Sequence, residues 1–516
     1  MTFSSVLRAT WLGTTAAVAL IGFAAAQQAA PFRVAIPNLP PQQGSPYASA
    51  AFSSPGVFFM GAIYDGLTWV GEDGNNRPYL AEGWKNIDQT TWQFTLRPNA
   101  QYASGRPVTA ESIVKNIEIL LSEYGQSQNI RSIVPTPASA RAVDARTVEI
   151  KTKTPNPIFD KEIGGLPIID PQAWADLGVE GFTRTPVTTG SYKLASATPN
   201  WSQATMELVP HTGSWHPGKA PRLVIAGVPE RAQRVQAVES GQVEVAVGLN
   251  MDAFEAIERS GNVVYTAPAP LVYAIPLIST RPNSPFKDVR VRQAVNYALD
   301  KDAMVKNLLR GRATAASQPA TPNTVGFNPD VKPYPHDPAK ARQLLSAAGF
   351  PNGFKTKLEA VMNGSQTADL EIYQQVGNDL KRVGVDVDVI SVTFADWLKK
   401  WLPGAGATDL GFPDMFGLGY FVTPEIDAIN GFKTHWCDKT PQWYCNEAVR
   451  ADVQSARTDF DPARRVQTLK RLMKAMHEDA PVLYLVNQID VVGVNKRVRN
   501  FTMVNRFMSF SEMTLQ

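Results

Sequence analysis

Only two cysteines occur in the 516 residues, Cys437 and Cys445, both within "HWCDKTPQWYCN". So sparse a set excludes a small scaffold held together by many bridges. Two readings of the pair stay open. One is a single short disulfide, whose ring-closure entropy amounts to about 2–3 kcal/mol. The other is a metal site with His435, which lacks both a fourth ligand and the CxxC spacing. Histidine is also scarce: five are scattered along the chain. His211 and His216, five apart in "HTGSWHPG", read as solvated turn residues rather than ligands. No P-loop, GxSxG, HExxH or GxGxxG pattern occurs, so no catalytic residue, metal or cofactor is expected. The formal net charge is only +3. That excludes the clustered basic surface that nucleic-acid binding requires, and there is no long run of like charge.

Long apolar runs are missing too, except at the start. Arg8 precedes "WLGTTAAVALIGFAAA", which ends in small residues and is followed by "QQ". This pattern reads as a secretory signal peptide over residues 1–26, cleaved after about Ala26. The run is short and Ala/Gly-rich for a membrane anchor. With no Cys at the cleavage point, no lipid anchor is expected. The mature protein is therefore read as soluble and exported.

What remains is too long for one core, so two or more domains are expected. Strand-like and helix-like segments alternate, which indicates α/β architecture. "TWQFTLRP" alternates as a half-buried strand. "TAESIVKNIEILLSEYG" is a helix capped by Thr109 and stopped by Gly125. "DVRVRQAVNYALD" starts at Asp288, and "HDPAKARQLLSAAGF" at Asp337 with Pro338 in its first turn. Aromatic residues are frequent in loop-like stretches: Tyr47, Trp397, Trp401, Tyr420, Phe421, Trp436, Trp443 and Tyr444. Any one of them is ordinary packing, but together they suit a ligand cleft between domains.

Several longer stretches carry a resemblance. "IYDGLTWVGEDGNNRPYLAEGW" and the strand and helix start after it, "TPVTTGSYKL", "PFKDVRVRQAVNYALDKDAMVKNLLRGRA", "DPAKARQLLSAAGFPNGF" and "APVLYLVNQIDVVGVNKRVRNF" are similar to successive signatures of one family. It is the family 5 extracellular solute-binding proteins of ABC transporters, the peptide, nickel and opine type. The resemblance implies a type II periplasmic binding protein: two lobes joined by a hinge that the chain crosses twice, with an extra subdomain inserted in lobe I. The implied division is lobe I over 27–55, 185–275 and 485–516, its inserted subdomain over 56–184, and lobe II over 276–484. The crossings are expected near "LVYAIPLIST" and "PVLYLVNQ".

The implied function is a periplasmic receptor that captures a small solute between its lobes. It delivers that solute to an inner-membrane ABC permease with its ATPase subunits. A monomer is the family expectation. Peptide binders of the family hold the peptide's α-ammonium with an Asp in a GWxxD-like segment. Here the segment is Gly419, Tyr420, Phe421, Val422 and Thr423, so a neutral hydroxyl stands at the acidic position. A buried ammonium needs a charged partner, so simple free-amine peptides are expected to be poor ligands. Glu425 or Asp427 is the alternative anchor. Tyr47, Tyr273, Trp397, Tyr420, Phe421 and Thr423 are the expected pocket lining. Other readings are a dipeptide or oligopeptide receptor, a metal-chelate receptor, and an enzyme or chaperone on the same fold.

Overall fold

The computed structural model describes residues 30–39, 44–47, 54–128, 130, 134, 137–196, 205–362, 369–401, 409–421, 425–433, 437 and 441–516. The expected signal segment, Thr423 and His435 lie outside them.

The helix signals translate into real caps. Thr109 accepts from the Ser112 amide while the Ser112 hydroxyl bonds back, a capping box that opens helix Ala110–Leu121. The helix stops at Ser122 rather than at Gly125, because the Ser122 hydroxyl caps a second short helix, Glu123–Ser127. Asp288, Asp337 and Asp461 cap helices Val289–Tyr297, Pro338–Ala347 and Pro462–Asp479. The last ends on Ala480 in the left-handed region (φ 50°), just before Pro481.

Among the described residues, one large mixed sheet organises the chain. Its order is Leu418–Phe421, Val263–Pro276, Val482–Val494, Val245–Ala246, Phe32–Ile36, Leu223–Gly227, Thr205–Pro210 and Tyr192–Leu194. A short strand, Thr314–Ala315, also pairs with Val482–Val494. A separate antiparallel sheet holds Ala81–Asp88, Thr91–Leu96, Thr147–Thr152 and Pro137–Ala142. A parallel sheet places Phe354–Met362 between Val385–Thr393 and Met415–Phe416.

The buried apolar residues form three main clusters, and two long strands run through all of them. In Val263–Pro276, Ala267 belongs to the first cluster, Tyr273 and Ile275 to the second, and Val272 and Ala274 to the third. In Val482–Val494, Val492 and Val494 belong to the first, Leu483 and Leu485 to the second, and Val482 and Tyr484 to the third. These two antiparallel strands are the stretches expected to cross between lobes. Residues 269–276 and 482–486 are uninterrupted apolar sequence because both faces are covered there.

The histidine pair differs from the sequence expectation. His211 is buried and its Nδ1 lies 3.1 Å from the Gly190 carbonyl. His216 Nε2 meets Asp65 at 3.0 Å, beside Trp215, whose indole N–H donates to the same carboxylate at 3.1 Å. The turn is polar in sequence, yet it packs inward because Asp65 is itself buried and needs donors.

Candidate functional site

The strand opened by the "GLGYF" sequence lies at the edge of the large sheet. Leu271, Val272, Tyr273 and Ala274 pair with Phe421, Tyr420, Gly419 and Leu418. Tyr420 and Phe421 therefore sit on the last strand before residues 422–424, with Val263–Pro276 between that strand and Val482–Val494. Adjacent strands are spaced about 4.8 Å apart.

The pairing of strands Val263–Pro276 and Val482–Val494 breaks at this level. Pro268 stands opposite Ile489, and Val272 opposite Asn487. Three residues, 269–271, thus face the single residue Gln488. Pro268 and Pro270 supply no N–H to a ladder, which accounts for the slip. Below the slip, Asp490 and Arg506 form a buried bidentate pair, at 2.8 and 2.9 Å. At the slip, Gln488 is only 5% exposed, and neither Nε2 nor Oε1 has a partner among the described residues. The neighbouring Asn487 donates to the Thr314 hydroxyl at 2.9 Å, but its Oδ1 is also buried and unpartnered.

Beyond 422–424 the chain forms a tight turn. Ala428 N bonds Val325 O at 2.9 Å, and Val325 N bonds Ile426 O at 3.0 Å. Both acids of this turn are engaged. Asp427 accepts two bonds from Arg465, at 2.7 and 2.9 Å, with both side chains buried. Glu425 accepts from the Asn430 amide. The turn packs against the 71–75 loop: a Cβ on Gly74 would meet Val325 Cγ2 at 3.0 Å and Ile426 O at 3.3 Å. Lys161 donates to Gly74 O at 2.7 Å. Burial lowers the Lys161 pKa, while Asp427 and Asp160 pull it up. Ile158, three residues before it, lies in the third apolar cluster. The 156–165 stretch and the 425–433 turn thus both contribute to the third cluster, and Lys161 lies within the electrostatic reach of Asp427.

The other expected lining residues fall in three different apolar clusters. Tyr47 is fully buried in the first cluster, 5.9 Å edge-on to Trp174 and 6.3 Å from Tyr124. Tyr273 is buried in the second, 5.4 Å from Tyr373. Trp397 is buried in the third, stacked on Trp401 at 5.3 Å, with its indole N–H on the Gly417 carbonyl at 3.0 Å. Thr423 lies outside the described residues. Sequence reasoning passed over Lys161, Arg465, Asn487 and Gln488. The last two did leave a signal: "NQ" is the polar interruption in the apolar strand "VLYLVNQIDVVGV".

The Cys437 and Cys445 sulfurs lie 2.07 Å apart. No described helix is long and apolar enough to cross a membrane.

Residues 75–414 match the model of the bacterial extracellular solute-binding proteins, family 5. The chain belongs to that family. The glutathione-binding protein GsiB of Pectobacterium atrosepticum is 27% identical over 470 residues, covering 88% of each chain. Among solved structures, the periplasmic binding protein DppA of Helicobacter pylori, in complex with the peptide STSA, aligns with a TM-score of 0.77 at 22% identity. That match covers 94% of this chain and 98% of DppA. NikA of Staphylococcus aureus, in complex with Ni(L-His)2, aligns with a TM-score of 0.76 at 18% identity, over 94% and 99%. The fold is thus the two-lobed periplasmic binding protein fold with a two-crossing hinge. Family 5 proteins are the solute receptors of ABC importers, and this chain is one. A shared fold leaves the solute to be argued from the site.

Proposed function

We propose that this receptor carries a small peptide-derived solute, with glutathione or a related γ-linked peptide as the first candidate. The observation that supports this reading is that Asp427 and Glu425 are both engaged within the protein. A linear peptide would bring a lone terminal ammonium to a wall that offers Thr423 and two occupied acids. Burying that charge without a partner costs several kcal/mol. In a γ-glutamyl peptide the α-ammonium sits beside its own α-carboxylate, so the charge is compensated inside the ligand. The likeness to glutathione-binding relatives points the same way.

The same proposal covers the finer points. Lobe I comprises 27–55, 185–275 and 485–516, with 56–184 inserted, and lobe II comprises 276–484. Tyr420, Phe421 and Thr423 form the wall, and Tyr47, Tyr273 and Trp397 support it from the apolar clusters. Residues 1–26 are removed on export, no lipid anchor is added, and the mature monomer works in the periplasm. Cys437 and Cys445 are joined as a disulfide, as an oxidising compartment favours. Release of the solute to the permease follows from the lobe arrangement that each partner prefers.

The test is calorimetry of the mature protein with glutathione, a linear tripeptide and a dipeptide, after native mass spectrometry of whatever co-purifies. Glutathione is expected to bind at least 10-fold more tightly than either linear peptide. Tight binding of the linear peptides would overturn the reading and return Glu425 and Asp427 as candidate anchors.

A further inference from the structure

We infer that the Gln488 side-chain amide is a specificity-determining contact that reads an amide of the solute at the hinge. The inference rests on the peptide-derived reading above and names the part of the ligand that meets the crossing strands.

Three observations converge on this position. First, both polar atoms of the buried Gln488 side chain, Nε2 and Oε1, are without a partner among the described residues. Each such group left unpaired costs about 1–3 kcal/mol, and native proteins retain few of them. Second, the crossing is built so that the backbone does not fill the need. Pro270 has no N–H, and residues 269–271 leave the ladder opposite Gln488. Third, the topology ties the spot to the candidate wall. Leu271, inside the slipped stretch, pairs on its other edge with Phe421, immediately before residues 422–424. The unsatisfied amide thus lies two strands, roughly 10 Å, from the strand that carries Tyr420 and Phe421.

The chemistry of the unpartnered set selects the ligand group. A primary amide has two N–H donors and one acceptor oxygen. A solute that both donates and accepts satisfies this set. A peptide-type amide does so, with its C=O toward Nε2–H and its N–H toward Oε1. A bare carboxylate or a metal ion offers no donor.

Three proteins test this: the wild type, Gln488→Leu and Gln488→Glu. Each is purified from the periplasm, assayed by native mass spectrometry for co-purified solute, and titrated with glutathione. Each is also melted in its unliganded form after solute is removed by partial unfolding and refolding. The expected result for Gln488→Leu is at least a 10-fold loss of affinity, or loss of the co-purified solute. Its unliganded melting temperature should be no lower than that of wild type, because an apolar side chain relieves the unpaired amide. Gln488→Glu keeps the shape and the acceptor but loses the donor, and it should fall between the two in affinity. A lower unliganded melting temperature in Gln488→Leu would show that the amide is satisfied structurally, by ordered water, and would overturn the inference. So would unchanged affinity. If wild-type protein ignores glutathione, the glutathione reading fails by itself, while the co-purified solute and the unliganded melting still decide the role of Gln488.

Discussion

Two buried polar regions lie close to the same edge strand, and they differ in one respect. In the 425–433 turn both acids have partners: Asp427 holds Arg465 and Glu425 holds Asn430. At the crossing, the Asp490–Arg506 pair is likewise complete, but the adjacent Asn487 and Gln488 amides are not. The first region is finished structure, and the second has hydrogen-bonding capacity left over. Net charge alone would have ranked them the other way, since carboxylates beside a cleft invite an assignment as ligand anchors. The unpaired neutral amides are the stronger sign, because a satisfied charge has nothing left for a solute, whereas a buried unsatisfied group lacks a partner.

The comparison breaks most visibly at Asp427. Asp427→Ala leaves Arg465 charged, buried and unpaired, and it should destabilise the protein by about 3–5 kcal/mol. Chemical denaturation measures this directly. If Asp427 were a ligand anchor instead, solute affinity would collapse while stability stayed near that of wild type. Trp397→Ala should cost a similar ~3–5 kcal/mol through the cavity it leaves under Trp401 and Phe412. It also strands the Gly417 carbonyl that its indole N–H satisfies. A melting temperature close to wild type, with weakened binding, would move Trp397 from support to direct solute contact.

Much of this organisation could be read from the chain. Asp288 and Asp337 announce their helices because an N-cap is a local bond between a side chain and amides two or three residues on. The two long central strands were visible as apolar runs near "LVYAIP" and "PVLYLVN". Partner choice was not visible. Whether Asp427 meets a ligand or Arg465, 38 residues away, depends on how the turn packs on the capped helix Pro462–Asp479. His211 and His216 failed for the same reason. A turn rich in Gly, Ser and Pro looks solvated until the buried Asp65, some 150 residues earlier, draws it inward. The slip at Gln488 is an intermediate case: its prolines and its polar pair are in the sequence, but their juxtaposition arises only from pairing.

Lys301 offers a third buried polar region and a pH handle on the comparison. It is buried, and among the described residues its ammonium donates to the Ala316 carbonyl alone, at 3.3 Å. Burial pushes its pKa down from 10.5 to about 7. Between these values the unfolded chain holds a proton that the folded protein lacks, so stability rises with pH across this window. The slope from this one group is about 1.4 kcal/mol per pH unit. Below about pH 7 the cost of the buried charge is fully present, and above about 10.5 it is gone. Lys301→Met should remove that slope, and the gap between variant and wild type should narrow as pH rises from 7 to 10. Denaturation curves at four pH values measure it, and a gap that does not change with pH would show that Lys301 is solvated in the fold.

The smallest effect tests how far an unpaired atom can be trusted as a sign of ligand contact. The Tyr47 hydroxyl, like the Gln488 amide, is buried without a partner. Its surroundings differ: Tyr47 is held among Tyr124, Trp174 and the first apolar cluster, away from the slipped pairing. Tyr47→Phe deletes only the hydroxyl. If the oxygen is a packing remainder, stability should stay level or rise by up to about 1 kcal/mol, and solute affinity should not change. If affinity falls instead, Tyr47 joins Gln488 as a ligand contact, and the cleft extends from the crossing strands to the 44–47 segment. Unpaired atoms would then mark the site wherever they occur. If affinity holds, location matters as well as the missing bond: an unsatisfied group points to a ligand where the backbone ladder has also been broken to make room for one.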